Sequence, residues 1–287
     1  MPHQLPKTLS NLIRKGFYSL PTPLKFLARR LYYLPVDTLD TITGKRHKFQ
    51  PPKGKIFIGS GGDFIQIGKD HLNLLIKYTG IKEDSVIWDI GSGIGRTAIP
   101  LTDYLNAQGK YEGFDVTKEG VDWCSKKITG DYPNFNFTYV ELGNDLYNNS
   151  VNSAVNYKFP YPPDFFDVSF LFSVFTHMQP DEVDNYLSEI YRVLRPGGKC
   201  LATFFVYNDE LEKALNENLV SMSFDYDKGN YRLMNEKVKA ANVAFKESYL
   251  KGLITNHGLK INNVIDGFWK TGRVGDDEFQ DIYVLEK

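Results

Sequence analysis

From residue 69 onward, apolar positions fall alternately at helical spacing and in short runs rich in β-branched and aromatic residues. That alternation predicts an α/β sheet with helices on its faces. A helix is expected over about 69–79, ending at Gly80, then a buried strand over 86–90, a glycine turn, and a helix over 97–105 that stops near Gly109. Strand 111–115, helix 118–128 and strand 135–141 repeat the unit. After a polar loop over 144–156, residues 166–172 are apolar on both faces and read as a central strand. A helix starts at Pro180 with Asp181 and Glu182 in its first turn, where acids suit the dipole, and runs to Leu194. Arg195-Pro-Gly-Gly198 ends it, and strand 199–205 follows.

Residues 207–257 break the alternation with an acidic helix, a hairpin around 227–230 and a helix over about 245–256. Strands 259–265 and 280–285 close the chain, separated by a Gly-containing loop through Asp276 and Asp277. The whole is a doubly wound sheet with its ligand crevice at the carboxyl ends of the strands.

Composition narrows the setting. The chain has 287 residues and 42% hydrophobic content, enough for one large core with embellishments. Its two cysteines, Cys124 and Cys200, have no metal-ligand spacing, which fits a reducing cytoplasm. No run reaches the roughly 18 to 20 apolar residues of a membrane span, and no signal-peptide core is visible, so a soluble protein is expected. The net charge of −1 divides into +7 over the first 50 residues and −8 over the remainder. Leu9, Leu12, Ile13 and Phe17, then Leu24, Leu27 and Leu31, recur at helical spacing within the basic part. Residues 1–58 therefore read as a basic arm, either packed with its charges solvated or, through residues 1–50, resting on an anionic membrane surface.

The chemistry concentrates at Asp89-Ile-Gly-Ser-Gly-Ile-Gly95. Gly91, Gly93 and Gly95 follow a buried strand and precede a helix, where a ligand meets backbone. A dinucleotide fingerprint requires a third glycine at position 96, where this chain has Arg96. Asp89, at the strand tip, can orient a cationic amino group. Asp115 ends the second strand, where an acid can accept from both hydroxyls of a ribose. Glu141 ends the third, with Leu142 as an apolar shelf for an adenine ring.

These segments resemble the motifs of the class I S-adenosylmethionine-dependent methyltransferase family: 86–95 its first, 111–115 its second, 135–142 its third, 166–177 its fourth, and 190–198 the turn of its last. The resemblance covers about residues 60–205. It implies a seven-stranded, mostly parallel Rossmann-like sheet with an antiparallel last strand and an α/β insertion before the final strand pair. It divides the chain into the arm and a methyltransferase domain over 59–287, with 207–257 as a substrate cap. It implies S-adenosyl-L-methionine as cofactor, its methionine part held by Asp89, Gly91, Ser92, Gly93 and Gly95, its ribose by Asp115 and its adenine by Glu141. Val116, Leu142 and Ser173 join that set. The family's third motif more often carries Asp than Glu. Asp63, Phe64 and Gln66, in a segment similar to a lead-in of bacterial members, are candidates to fold over the cofactor.

Methyl transfer to a hydroxyl also needs a proton removed, a task for a histidine. His177, five residues past the central strand, is the candidate base, although a histidine there can equally cap or pack its loop. His3 and His47 lie in the arm, His257 ends a helix, and His71 is expected to face out of the first helix. Phe172, Phe175, Tyr207, Phe224, Tyr226, Tyr231 and Trp269 can line an acceptor pocket or belong to the core. The acidic body and the absence of an Asn/Asp-Pro-Pro-aromatic motif argue against nucleic acid. The expected activity is O-methylation of a small molecule or glycan, with no metal. A nicotinamide-dependent oxidoreductase and a cofactor-binding accessory protein without turnover are the alternatives.

Overall fold

The computed structural model describes residues 22–57, 62–145, 150–217, 220, 222–270 and 278–287. The chain folds as two units, Met1–Gly61 and Gly62–Lys287.

In the first unit, helix α1 (Thr22–Ile42) contains Pro35 and is followed by a 3-10 turn at Lys53–Lys55. Asp37 joins the two: its carboxylate accepts from the amides of Lys53 (2.7 Å) and Gly54 (2.9 Å), and Phe26 meets Phe57 with ring centroids 4.0 Å apart. The side of α1 bearing Leu24, Leu27, Leu31, Leu34 and Ile42, residues that share one face by helical spacing, is left exposed, each by 48% or more. Among the described residues no helix is long and apolar enough to cross a membrane.

The second unit opens with α2 (Phe64–Thr79), five residues earlier than the sequence pattern suggests, because the Asp63 side chain caps it by accepting from the amides of Ile65 and Gln66. Gly80 ends it with φ of 69°. The order is then β1 (Val86–Ile90), α3 (Ala98–Tyr104), β2 (Lys110–Asp115), α4 (Lys118–Cys124), β3 (Phe135–Tyr139), β4 (Phe166–Leu171), α5 (Pro180–Val193) and β5 (Leu194–Tyr207). A π-turn at Ser125–Thr129 prolongs α4. The Glu182 carboxylate of α5 accepts from the Gln179 amide (2.7 Å), reinforcing that start. After α6 (Asp209–Asn216), the short strands β6 (Tyr226–Asp227), β7 (Tyr231–Leu233) and β8 (Val243–Lys246) lead into α7 (Glu247–Asn256). Strands β9 (Lys260–Ile265) and β10 (Asp281–Glu286) end the chain.

The expected seven-stranded Rossmann-like sheet is present, in the order β3-β2-β1-β4-β5-β10-β9, parallel except for β10. Three further strands bring the total to ten. The addition is possible because β5 is long: residues 199–204 pair with β10, while Phe205, Val206 and Tyr207 pair with β8, which carries β7 and β6 outward. The sequence order reverses between β1 and β4, the switch point at which doubly wound sheets open a crevice. Trp88, Phe114, Phe159 and Phe166 pack with Tyr186, Leu187 and Ile190 of α5 as the main core.

Asp281, wholly buried, pins the last hairpin. Its carboxylate accepts from the amides of Val206 (2.8 Å) and Gly267 (2.8 Å) and from Trp269 Nε1 (3.0 Å), and pairs with Lys270 Nζ at 2.9 Å. Asp281→Ala strands those three buried donors and leaves the half-buried Lys270 paired with Asp266 alone, so the unfolding free energy is expected to fall by about 3–5 kcal/mol. A lower urea midpoint at unchanged m-value is the reading that checks it.

Candidate cofactor and methyl-transfer site

At the end of β1 the chain turns through Gly91, Gly93 and Gly95, with φ of 82°, 57° and 84°. The amides of Gly91 and Ser92 both donate to the Phe114 carbonyl (2.9 Å each), and the Gly93 amide donates to Asp115 Oδ2 (2.7 Å). The turn is thereby tied to the tip of β2. Space around it is tight: a Cβ on Gly91 would lie 2.4 Å from Val174 Cγ2, and one on Gly120 of α4 would lie 2.2 Å from the Gly93 carbonyl oxygen. Backbone atoms line this junction because side chains do not fit.

Two acids flank the turn. Asp89 is buried and accepts from the Tyr111 hydroxyl at 2.5 Å. Burial, helped by the charge of nearby Asp115, pushes its carboxyl up to about 7, although the Tyr111 bond and Arg96 pull the other way. Asp115 is also buried; its Oδ1 accepts from the Thr117 amide (2.7 Å) and hydroxyl, and burial holds its pKa above the usual carboxylate range despite those bonds. In the same turn Ser92 Oγ and Arg96 Nε are buried without a hydrogen-bond partner. Polar atoms in that condition are fit to receive a polar ligand.

The other expected residues lie around this centre with varied exposure. Val116 is half-buried, Leu142 is buried, and the Glu141 side chain is exposed. Ser173 has φ of 59°, its amide donates to Thr203 Oγ1 (2.8 Å), and its hydroxyl donates to Gln280 Oε1 (3.1 Å). His177 Nδ1 lies 2.7 Å from the Ala240 carbonyl, so in the neutral ring Nδ1 carries the proton and Nε2 the lone pair. Burial lowers its pKa, outweighing that bond. Of the lead-in residues, Asp63 caps α2, Phe64 is buried, and Gln66 Nε2 donates to Asp70 (2.8 Å). Residues 59–61 of that segment, His3, Asp276 and Asp277 lie outside the described residues. Phe175, Tyr207, Phe224 and Trp269 are core residues, Phe172 and Tyr231 are half-buried, and Tyr226 is exposed. His257 pairs with Asp184 at 2.7 Å. Among the described residues no group of His, Cys, Asp or Glu is arranged to hold a metal ion.

One expectation is overturned. His71 does not face outward: it is buried, its Nδ1 lies 2.8 Å from Thr97 Oγ1, and its ring stacks on Phe172 with centroids 3.7 Å apart. Burial, and then Arg96, depress its pKa strongly, which keeps the ring neutral. The reason is helical phase, since Phe64, Gly68, His71 and Leu75 repeat at four, three and four residues and form the buried face of α2. That spacing was the signal for it. Glu278 and Gln280, returned to the site by the last hairpin, carry no such local signal.

Residues 88–202 match the family described as "Methyltransferase domain". Those residues are similar to a methyltransferase domain, and S-adenosyl-L-methionine is the cofactor that the match supports. The ubiquinone/menaquinone biosynthesis C-methyltransferase of Wigglesworthia glossinidia brevipalpis is 29% identical over 136 residues, 46% of this chain and 48% of that protein. The chain spans about half the length of the curated relatives it matches. Among solved structures, the PH0226 protein from Pyrococcus horikoshii OT3 aligns with a TM-score of 0.54 at 15% identity, over 79% of this chain and 92% of that one. The cyclase SpnF aligns with a TM-score of 0.52 at 18% identity, over 93% and 97%. Those two likenesses are of fold.

Asp89 is expected to give cofactor binding a pH dependence. Below about 7 Asp89 holds a proton that a cationic ligand group must displace, so acidification weakens binding. Affinity for S-adenosylmethionine is expected to drop by up to about tenfold per pH unit below that point. Calorimetric titrations between pH 5.5 and 7.5 check this, and Asp89→Asn should flatten the profile.

Proposed function

We propose that this chain transfers a methyl group from S-adenosyl-L-methionine to a small-molecule acceptor of quinol or phenol type. The observation that carries the reading is the glycine turn held between two buried acids, Asp89 and Asp115, within a methyltransferase domain. In this reading Asp89, Gly91, Ser92, Gly93 and Gly95 receive the methionine end. Asp115, beside Val116, takes the ribose hydroxyls. Glu141 takes the adenine amine against the apolar shelf of Leu142, and Ser173 borders the transferred group. The acceptor class is supported by the relative named for quinone biosynthesis.

When bound, the cofactor supplies an electrophilic methyl on a sulfonium centre. The protein's share is to hold an acceptor in line, keep it dry and take its proton. A phenolic hydroxyl, with a pKa of about 10, is a weak nucleophile until it loses that proton. His177 is assigned that step, with its Nε2 lone pair as acceptor of the proton. Its carbonyl partner, Ala240, belongs to the 207–257 segment, which we assign to acceptor choice. Asp145 fastens the same turn by accepting from the amides of Lys239 (2.8 Å) and Ala240 (3.0 Å).

We further assign α1 to a membrane surface. Its exposed leucines, in a stretch of nine Lys/Arg against two Asp over residues 1–50, suit an anionic bilayer in which an apolar quinol would dissolve.

Labelled methyl donor offered with quinols, simple phenols and glycans should mark the quinols, and product analysis separates C- from O-methylation. Labelled glycan alone would replace the acceptor reading, and cofactor retention without transfer to any acceptor would favour an accessory role. His177→Gln is expected to lower turnover by about 10²–10⁴ while leaving cofactor affinity unchanged. In sedimentation with anionic vesicles, the double change Leu27→Asp and Leu31→Asp should abolish binding seen for the unaltered chain.

A further inference from the structure

Arg96 follows the glycine turn directly, and among the described residues none forms a hydrogen bond or ion pair with its guanidinium, although its Nε is shut off from water. Asp89 and Glu278 act on it through space. Its backbone is fixed from behind, since α2 presses so closely that a Cβ on Gly68 would sit 2.3 Å from the Arg96 carbonyl oxygen. Arg96 is half-buried, a buried guanidinium N–H with no acceptor is costly, and the planar fork of arginine fits a carboxylate with two parallel bonds. The cofactor contains a single carboxylate, on its amino-acid end, and the neighbouring acids suit the ammonium and sulfonium charges beside it.

The geometry points to Arg96 as the anchor for the carboxylate of the cofactor's amino-acid end, with Glu278, whose charge acts on the guanidinium without contacting it, as a positioning residue. Glu278 comes from the hairpin between β9 and β10, far from the glycine turn in sequence. Its carboxylate lies 3.8 Å from His71 Nε2, within a patch also bounded by Asp70 and Arg96. The final hairpin thus takes part in cofactor recognition, although it lies outside the five motifs over residues 86–198. The inference rests on the methyl-donor reading of the site.

The experiment compares two ligands by calorimetry. S-adenosylhomocysteine carries the amino-acid end, whereas 5′-methylthioadenosine keeps the nucleoside and thioether and lacks it. Arg96→Gln is expected to weaken S-adenosylhomocysteine by about thirtyfold or more while leaving methylthioadenosine within about twofold. Arg96→Lys, which keeps the charge and loses the fork, should fall between. Glu278→Gln should weaken only S-adenosylhomocysteine, by several-fold. Retained methylthioadenosine binding shows that a variant is folded. Equal loss of both ligands in Arg96→Gln and Arg96→Lys, or loss of neither, overturns the assignment. An unaltered chain that binds neither ligand overturns the donor reading with it.

Discussion

The hydrogen bond from the Gly93 amide to the Asp115 carboxylate ties the turn after β1 to the tip of β2, and most of the site follows from it. Because β1 and β2 run parallel with Ile90 opposite Phe114, the turn can settle only where Phe114 and Asp115 offer acceptors. The cost is two carboxyls held close together and away from water. Both have raised pKa values chiefly through burial, and at Asp89 the charge of Asp115 adds to it. A cation arriving at the turn relieves this stored repulsion. The site therefore favours a cationic ligand, and in the function proposed above that charge is the one S-adenosylmethionine carries.

Local features of this chain are legible in its sequence. The β1 run, the turn glycines and the acid at the end of β2 depend on neighbours a few residues away, and hydrophobic period exposes such features directly. Helix α2 shows where this fails at short range: the Asp63 cap moved its start, and the phase of Phe64, Gly68 and His71 then turned the histidine inward. At long range nothing in the sequence announces that β5 has two successive partners, β10 and then β8, or that Glu278 and Gln280 return beside Arg96 and Ser173. Those pairings are set by burial of distant residues, as at Asp281, whose four partners span residues 206–270. The exposed leucine face of α1 is similarly silent, because spacing alone does not say which side of an amphipathic helix its own unit will cover.

The domain divides its labour along the sheet. The half built from β1, β2 and β3 holds the glycine turn and its acids and follows the family pattern closely. Beyond residue 202, where the family match ends, this chain carries the far end of a long β5, three added strands and a hairpin pinned by a buried aspartate. Fold likeness reaches across both halves even to a protein named as a cyclase, so the scaffold by itself does not choose the chemistry. In the function proposed above, choice rests with side chains such as His177 and with the segment that meets it.

That segment is not a freely exchangeable cassette. The turn around Ala240 is fastened on one side by Asp145, from the loop after β3, and on the other by His177, from the loop after β4. Any attempt to graft a different acceptor region onto this scaffold would cut both moorings at once, and the imidazole would lose the carbonyl that fixes its tautomer. Successful chimeras should therefore transplant three stretches together: the added strands, the Asp145 loop and the His177 loop. If acceptor preference follows the proposed function, it is a property of their joint, slow to drift by single substitutions and open to change by exchange of all three.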